Sequence, residues 1–191
     1  MKEQLELKEI VGYLPYGVKA EILDYKSDYV GRQYDKIIGL KEWSKEGDWC
    51  LLTDGGSKPS LNRVKPILFP ISSLTQFRED LGFVPMVELL AISNNKFRNI
   101  TQILCETKMY DKREFCTIEY VENGGDASVK SFSYDSSLSR FITRNESEKR
   151  PLATGYQLQL FEKLYEWKID THNLIEKGLS IAVTEDFNPY K

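Results

Sequence analysis

The chain has 191 residues, 41% hydrophobic and 12% aromatic, which is enough apolar material for a packed core and excludes wholesale disorder. A formal net charge of -3 supplies no overall field for a phosphate backbone, so nucleic-acid binding would need a local basic patch. The three cysteines, Cys50, Cys105 and Cys116, are odd in number and lack a C-x-x-C pair, which excludes a disulfide framework and reads as reduced, mostly buried thiols.

The charged start, Met-Lys-Glu-Gln-Leu-Glu-Leu-Lys-Glu, does not resemble a signal peptide, and no apolar run approaches the roughly 20 residues of a membrane-spanning helix. A cytoplasmic protein is expected. Leu7, Ile10, Val11 and Leu14 follow helical spacing and predict a short N-terminal helix over residues 2–13, stopped by Pro15 and Gly17. Alternating Val18, Ala20 and Ile22 begin a series of short strands, continued at 32–40, 48–53 and 63–69. Turn residues separate them, among them Asp54-Gly55-Gly56-Ser57, and the pattern predicts an antiparallel meander.

Ser72 or Ser73 can cap a brief helix over 74–79. A helical stretch starts near Pro85, the Asn94-Asn95 pair interrupts it, and Phe97, Ile100, Ile103 and Leu104 resume helical spacing to Cys105. A hairpin follows, with strands at 115–122 and 128–134 around Asn123-Gly124-Gly125-Asp126. Cys116, Ile118 and Tyr120 form its apolar face and Thr117 and Glu119 the opposite one. The wholly polar run 144–151, ending in Pro151, predicts a surface linker. From Tyr156 to Asp170 a long amphipathic helix is expected, with Leu160, Leu164 and Trp167 toward a core and Glu162, Glu166 and Asp170 on the polar side. The sum is one α+β domain over 1–191: an antiparallel sheet of short strands with an N-terminal helix, a mid-chain helical segment and a long C-terminal amphipathic helix.

Chemistry-bearing motifs are scarce. His172 is the sole histidine, which leaves no imidazole cluster for a metal, and its position after the long helix predicts a partner for the helix dipole. Glu162, Glu166 and Asp170 share a spacing that suits a divalent cation, but no second carboxylate helix accompanies them, so a solvated face is the better reading. Neither Gly-Gly turn has phosphate-loop spacing, and no Gly-x-Ser-x-Gly elbow occurs. No catalytic residue, cofactor or metal site is expected, and the chain reads as a non-enzyme. The strongest nucleic-acid feature is a set of cations, Lys96, Arg98, Lys108, Lys112 and Arg113, around Phe97, Tyr110 and Phe115. Aromatics such as Tyr13, Tyr16, Trp43 and Trp49 would, where exposed, equally suit a protein interface, and most of them are expected in the core.

Three blocks, Tyr13-Leu-Pro-Tyr-Gly-Val18, Lys65-Pro-Ile-Leu-Phe-Pro-Ile-Ser-Ser-Leu-Thr75 with Phe83-Val-Pro85, and Leu160-Phe-Glu-Lys-Leu-Tyr-Glu-Trp-Lys-Ile-Asp170 to Ile181, together resemble a family of uncharacterised phage and mobile-element proteins of gut anaerobes. The family commonly has an arginine where Phe69 stands and a histidine where Lys168 stands. The resemblance implies origin and transfers no site residue. That phage link, taken with the absence of catalytic motifs, leads to the expectation of a non-enzymatic accessory protein in the bacterial host's cytoplasm that binds a protein partner of host or phage, with a nucleic-acid-binding module using the cluster near 96–115 as the alternative and a virion component as a further one.

Overall fold

A computed structural model describes residues 4–23, 33–42, 49–94, 96–108, 113–122, 128–146 and 149–191. In chain order these form helix α1 (Leu7–Ile10), a 3-10 turn (Val11–Tyr16), strands β1 (Lys19–Ile22), β2 (Gln33–Glu42), β3 (Trp49–Thr53) and β4 (Val64–Leu68), and helix α2 (Pro85–Ser93). There follow β5 (Phe97–Lys108), β6 (Arg113–Glu122), β7 (Val129–Asp135), β8 (Arg140–Asn145), β9 (Arg150–Leu152), α3 (Gln157–Glu166) and β10 (Ile181–Ala182). The chain divides into two compact units, 1–69 with 165–191, and 70–164.

The first unit is built on a five-stranded sheet in the order β10-β4-β1-β2-β3. Its strands pair antiparallel except β10, which lies parallel to β4. Only β1, β2 and β3 form the expected meander; β4 crosses over to pair with β1. The sequence of β4 explains its internal place, because Val64, Pro66, Ile67 and Leu68 are all buried, the composition of a strand covered on both faces. Pro66 costs little here: β10 pairs only with Ile67 and Leu68, so Pro66 has a strand neighbour on one side. The N-terminal helix exists but is short, passing through Pro15 as a 3-10 turn before Gly17, at φ 63°, ends it. A side chain at Gly17 would collide with that of Lys36. Ile10, Tyr13, Val18, Ala20, Ile37, Leu51, Leu68 and Leu174 make the core.

The second unit carries a five-stranded antiparallel sheet whose order, β5-β6-β7-β8-β9, follows the sequence. The hairpin expected at 115–134 is present as β6 and β7, and residues 123–127 between the two strands lie outside the described set. Cys116, Ile118 and Tyr120 are buried as their alternation predicts, beside Phe132, Tyr134 and Phe141. Phe132 and Phe141 stack at 5.4 Å, and Phe161 of α3 meets Tyr134 and Phe141 edge-on. Met86, Leu89 and Leu90 of α2 and Ile71 and Leu74 of a preceding 3-10 turn are buried as well.

Four expectations are corrected. Residues 97–105 are not a helix but part of the longest strand, β5. The brief helix at 74–79 is instead a 3-10 turn at Ile71–Thr75. Arg144 and Asn145 lie in β8 and Arg150 and Pro151 in β9, strands that pair with each other within one sheet, so these four residues are strand rather than linker, and residues 147 and 148 lie outside the described set. The long C-terminal helix stops at Glu166. Lys168 takes φ 57°, a left-handed conformation that ends helical progression, and the next residue, Ile169, forms a parallel bridge to Phe69. The chain then closes with the short strand β10 and its tail.

Candidate functional site

In an antiparallel sheet with one face on a core, alternate residues form a grid on the other face. In the second unit that grid has three rows. Glu106, Phe115, Asp135 and Arg140 are successive cross-strand partners, as are Leu104, Thr117, Ser133 and Ile142, and Gln102, Glu119, Ser131 and Arg144. Together with Leu138 and Glu146, most of these residues line a hollow of about 420 Å3.

The hollow is polar and of mixed sign. Four carboxylates, Glu106, Glu119, Asp135 and Glu146, share it with two guanidinium groups, Arg140 and Arg144. Asp135 plays a structural part. Only 3% exposed, it accepts hydrogen bonds from the Ser137 amide at 3.0 Å, the Ser137 hydroxyl at 2.7 Å and the Leu138 amide at 3.2 Å. It thereby fixes the turn into β8. The Thr117 and Ser133 hydroxyls bond each other at 2.9 Å, and the Ser131 hydroxyl donates to Glu146. Arg140 and Arg144 are exposed, and so is Leu138 at the rim.

The first unit holds a second hollow, about 550 Å3, lined by Trp49, Cys50, Lys58, Ser60, Asn62 and Arg63 among others. Trp49 is 42% exposed, Ser60 donates to Asn62 at 2.6 Å, and the Cys50 thiol donates to the Lys41 carbonyl at 3.4 Å. Cys50 is spent on that contact and on packing, as its apolar surroundings predict.

The same unit also contains a buried polar network. The Tyr13 hydroxyl donates to the Ile169 carbonyl at 2.6 Å, lies 3.0 Å from the Thr171 hydroxyl, and accepts from the Thr171 amide at 3.1 Å. Burial raises its pKa. Asp170 accepts from the amides of Leu174 and Ile175, both at 2.8 Å, and capping those donors offsets a burial that raises its pKa. His172 stacks on Tyr165 at 6.5 Å, and burial lowers its pKa despite the carboxylates of Glu9 and Asp170. The network fastens the returning C-terminal segment to α1 and its 3-10 turn. Tyr13, Thr171 and Asp170 direct their hydrogen bonds inward, whereas the buried His172 Nε2 has no hydrogen-bond partner among the described residues.

Several residues singled out in the sequence lie apart. Lys96 and Arg98 are exposed at the start of β5, whereas Lys108 and Arg113 are backbone partners at the other end of the β5–β6 hairpin. A strand rises about 3.3 Å per residue, so the two sets are roughly 30 Å apart along it. Lys112 and Tyr110 lie outside the described residues, as does Trp43. Phe97 sits edge-on to Tyr120 at 6.5 Å rather than on a helix. Asp170 has left the helix that carries Glu162 and Glu166, and no cluster of three metal-ligating side chains occurs among the described residues. Tyr13 is fully buried rather than free for a partner. Phe69 and Lys168 share a neighbour: Phe69 stacks on Tyr190 at 5.8 Å, and the Lys168 ammonium lies 5.6 Å from the centre of the same ring.

The helical spacing within β5 hides the fourth strand of the grid, and with it the open sheet face, from a reading of the sequence. The alternation of Thr117 and Glu119 with Ile118 is the part that remains visible there. No protein-family model, curated protein or solved structure matches the chain.

Proposed function

We propose that the chain is a non-enzymatic binding protein whose partner is another protein, engaged by the open face of the second unit's sheet. The observation that carries this reading is the mixed charge of the hollow, where four carboxylates alternate with two arginines, hydroxyls and the apolar groups of Phe115, Leu138 and Ile142. A phosphate backbone would meet net repulsion there, while a protein surface can answer both signs and cover Leu138. The separation of Lys96 and Arg98 from Lys108 and Arg113 further weakens the nucleic-acid alternative. The resemblance of the blocks at 13–18, 65–85 and 160–181 supports service to a phage or mobile element in the host cytoplasm. No cofactor enters this reading.

The test is capture of a tagged copy from infected host cells, with half of each sample treated with nuclease. A discrete host or phage protein should survive nuclease. The Arg140→Glu, Arg144→Glu double variant should weaken its recovery at least about tenfold, which corresponds to about 1.4 kcal/mol. Equal recovery by the variant would remove the face from consideration, and loss of every partner with nuclease would restore the nucleic-acid reading. Stoichiometric copies in purified particles would establish the virion alternative instead.

A further inference from the structure

Cys105 and Cys116 stand directly opposite each other on the antiparallel strands β5 and β6. Residues so paired have α-carbons about 4.5–5.5 Å apart, inside the range a disulfide spans. The sulfurs are 2.9 Å apart, against about 2.05 Å in a bond. The two thiols differ in their surroundings. Cys105 lies on the edge strand and is partly exposed, whereas Cys116 is fully buried, with its sulfur 3.3 Å from the Ile71 carbonyl oxygen.

We infer that Cys105 and Cys116 form a reversible two-electron thiol/disulfide site, in which Cys105 is the attacking thiol and Cys116 the resolving one. The inference stands apart from the protein-partner reading. Exposure favours Cys105 as the first to meet an oxidant. The contact between the two sulfurs also lowers the Cys105 pKa, while the same contact and burial raise that of Cys116. The oxidant is a small-molecule disulfide. The Cys105 thiolate attacks one of its sulfurs, forming a mixed disulfide and expelling one thiolate. The Cys116 thiol then loses its proton to that thiolate and attacks the Cys105 sulfur, which expels the second thiolate. In sum, two protein thiols and one small disulfide become one cross-strand disulfide and two small thiols, and the small disulfide is reduced by two electrons.

The test uses the whole chain with oxidised glutathione, followed by alkylation in denaturant and peptide mapping by mass spectrometry. The expected product has the Cys105 and Cys116 peptides joined, Cys50 alkylated, and all three thiols restored by dithiothreitol. Cys116→Ser should stop at a stable glutathione adduct on Cys105. If that variant does not fold, the wild-type time course should show the Cys105 adduct before the joined peptides. A stable adduct on wild-type Cys105 with Cys116 still alkylated, a bond to Cys50, an adduct appearing first on Cys116, or no reaction would each overturn the assignment.

Discussion

Both units bury some hydrogen-bonded polar side chains, Asp135 among those of the second, but they differ in where the rest of their polar groups go. In the first, assembled from both ends of the chain, Tyr13, Asp170 and Thr171 are buried, with the Tyr13 hydroxyl bonded to the backbone of Ile169 and Thr171 and the Asp170 carboxylate to the amides of Leu174 and Ile175. In the second, assembled from one continuous stretch, the buried face is largely aromatic and aliphatic while Glu106, Glu119, Arg140 and Arg144 line an open hollow. A unit closed by distant segments needs directional bonds to fix where they meet. A unit of sequential hairpins gets its register from alternation and turns, which leaves its outer polar face available for recognition.

The largest expected effect lies in the second unit's core. Phe132 is fully buried and stacked on Phe141, so Phe132→Ala should cost about 3–5 kcal/mol, read by denaturant unfolding. A loss below about 1 kcal/mol would mean that aromatic packing is not what holds this unit. Next comes the network of the first unit. Tyr13→Phe removes one hydroxyl and leaves the Ile169 carbonyl and the Thr171 amide only the 2.9 Å bond they make to each other, which should cost about 0.5–1.5 kcal/mol. Hydrogen exchange should quicken at Thr171 while β6 and β7 stay protected, and equal quickening in both units would erase the contrast between them.

A smaller effect is pH-dependent and again belongs to the first unit. Burial holds His172 below the ordinary 6.5, so the unfolded chain takes up its proton first as pH falls. The stability of its neutral form is complete above 6.5 and declines as pH drops through the folded value. Glu9 acts in a lower window: burial opposes its ionisation, but the Glu6 amide and Lys177 outweigh burial and lower its pKa, so its contribution is lost only as pH falls below 4.5. Urea unfolding of the wild type between about pH 7 and 5 should show declining stability, and His172→Asn should flatten that slope. An unchanged slope in the variant would move the titration elsewhere. The smallest effect is expected at the open face, where Arg144→Glu should change stability by less than about 0.5 kcal/mol while altering partner recovery.

Much of this fold is legible where alternation is clean. Val18, Ala20 and Ile22 locate β1, and Cys116, Ile118 and Tyr120 mark the inner face of β6. The failure at 97–105 has a specific cause. The pairing shifts register between Phe97 and Asn99 and again between Ile100 and Gln102, so Arg98 and Thr101 are extra residues in the strand. Each bulge stretches the period from two to three, placing Phe97, Ile100 and Ile103 at a spacing that imitates a helix. The β-branched content of Ile100-Thr101-Gln102-Ile103 is the opposing signal. Helical spacing also separates Cys105 from Cys116 in the sequence reading and conceals their pairing. At the C-terminus Leu160, Leu164 and Trp167 are buried as their spacing predicts, because helical periodicity and packing agree there. Asp170 differs, since the left-handed turn at Lys168 follows from packing of Ile169 beside Phe69, a contact across distant sequence that no local pattern encodes.

The parallel pairing of β10 with β4 has a consequence for the order in which the chain is made. A ribosome delivers residues in sequence, and all of 70–164 emerges before the segment that carries Asp170, Thr171 and β10. The second unit therefore has its full set of strands while the first still exposes the open side of β4. Interruption of synthesis after Leu164 would leave one unit complete and the other a sheet with an unfilled edge, the state most open to pairing with the wrong strand.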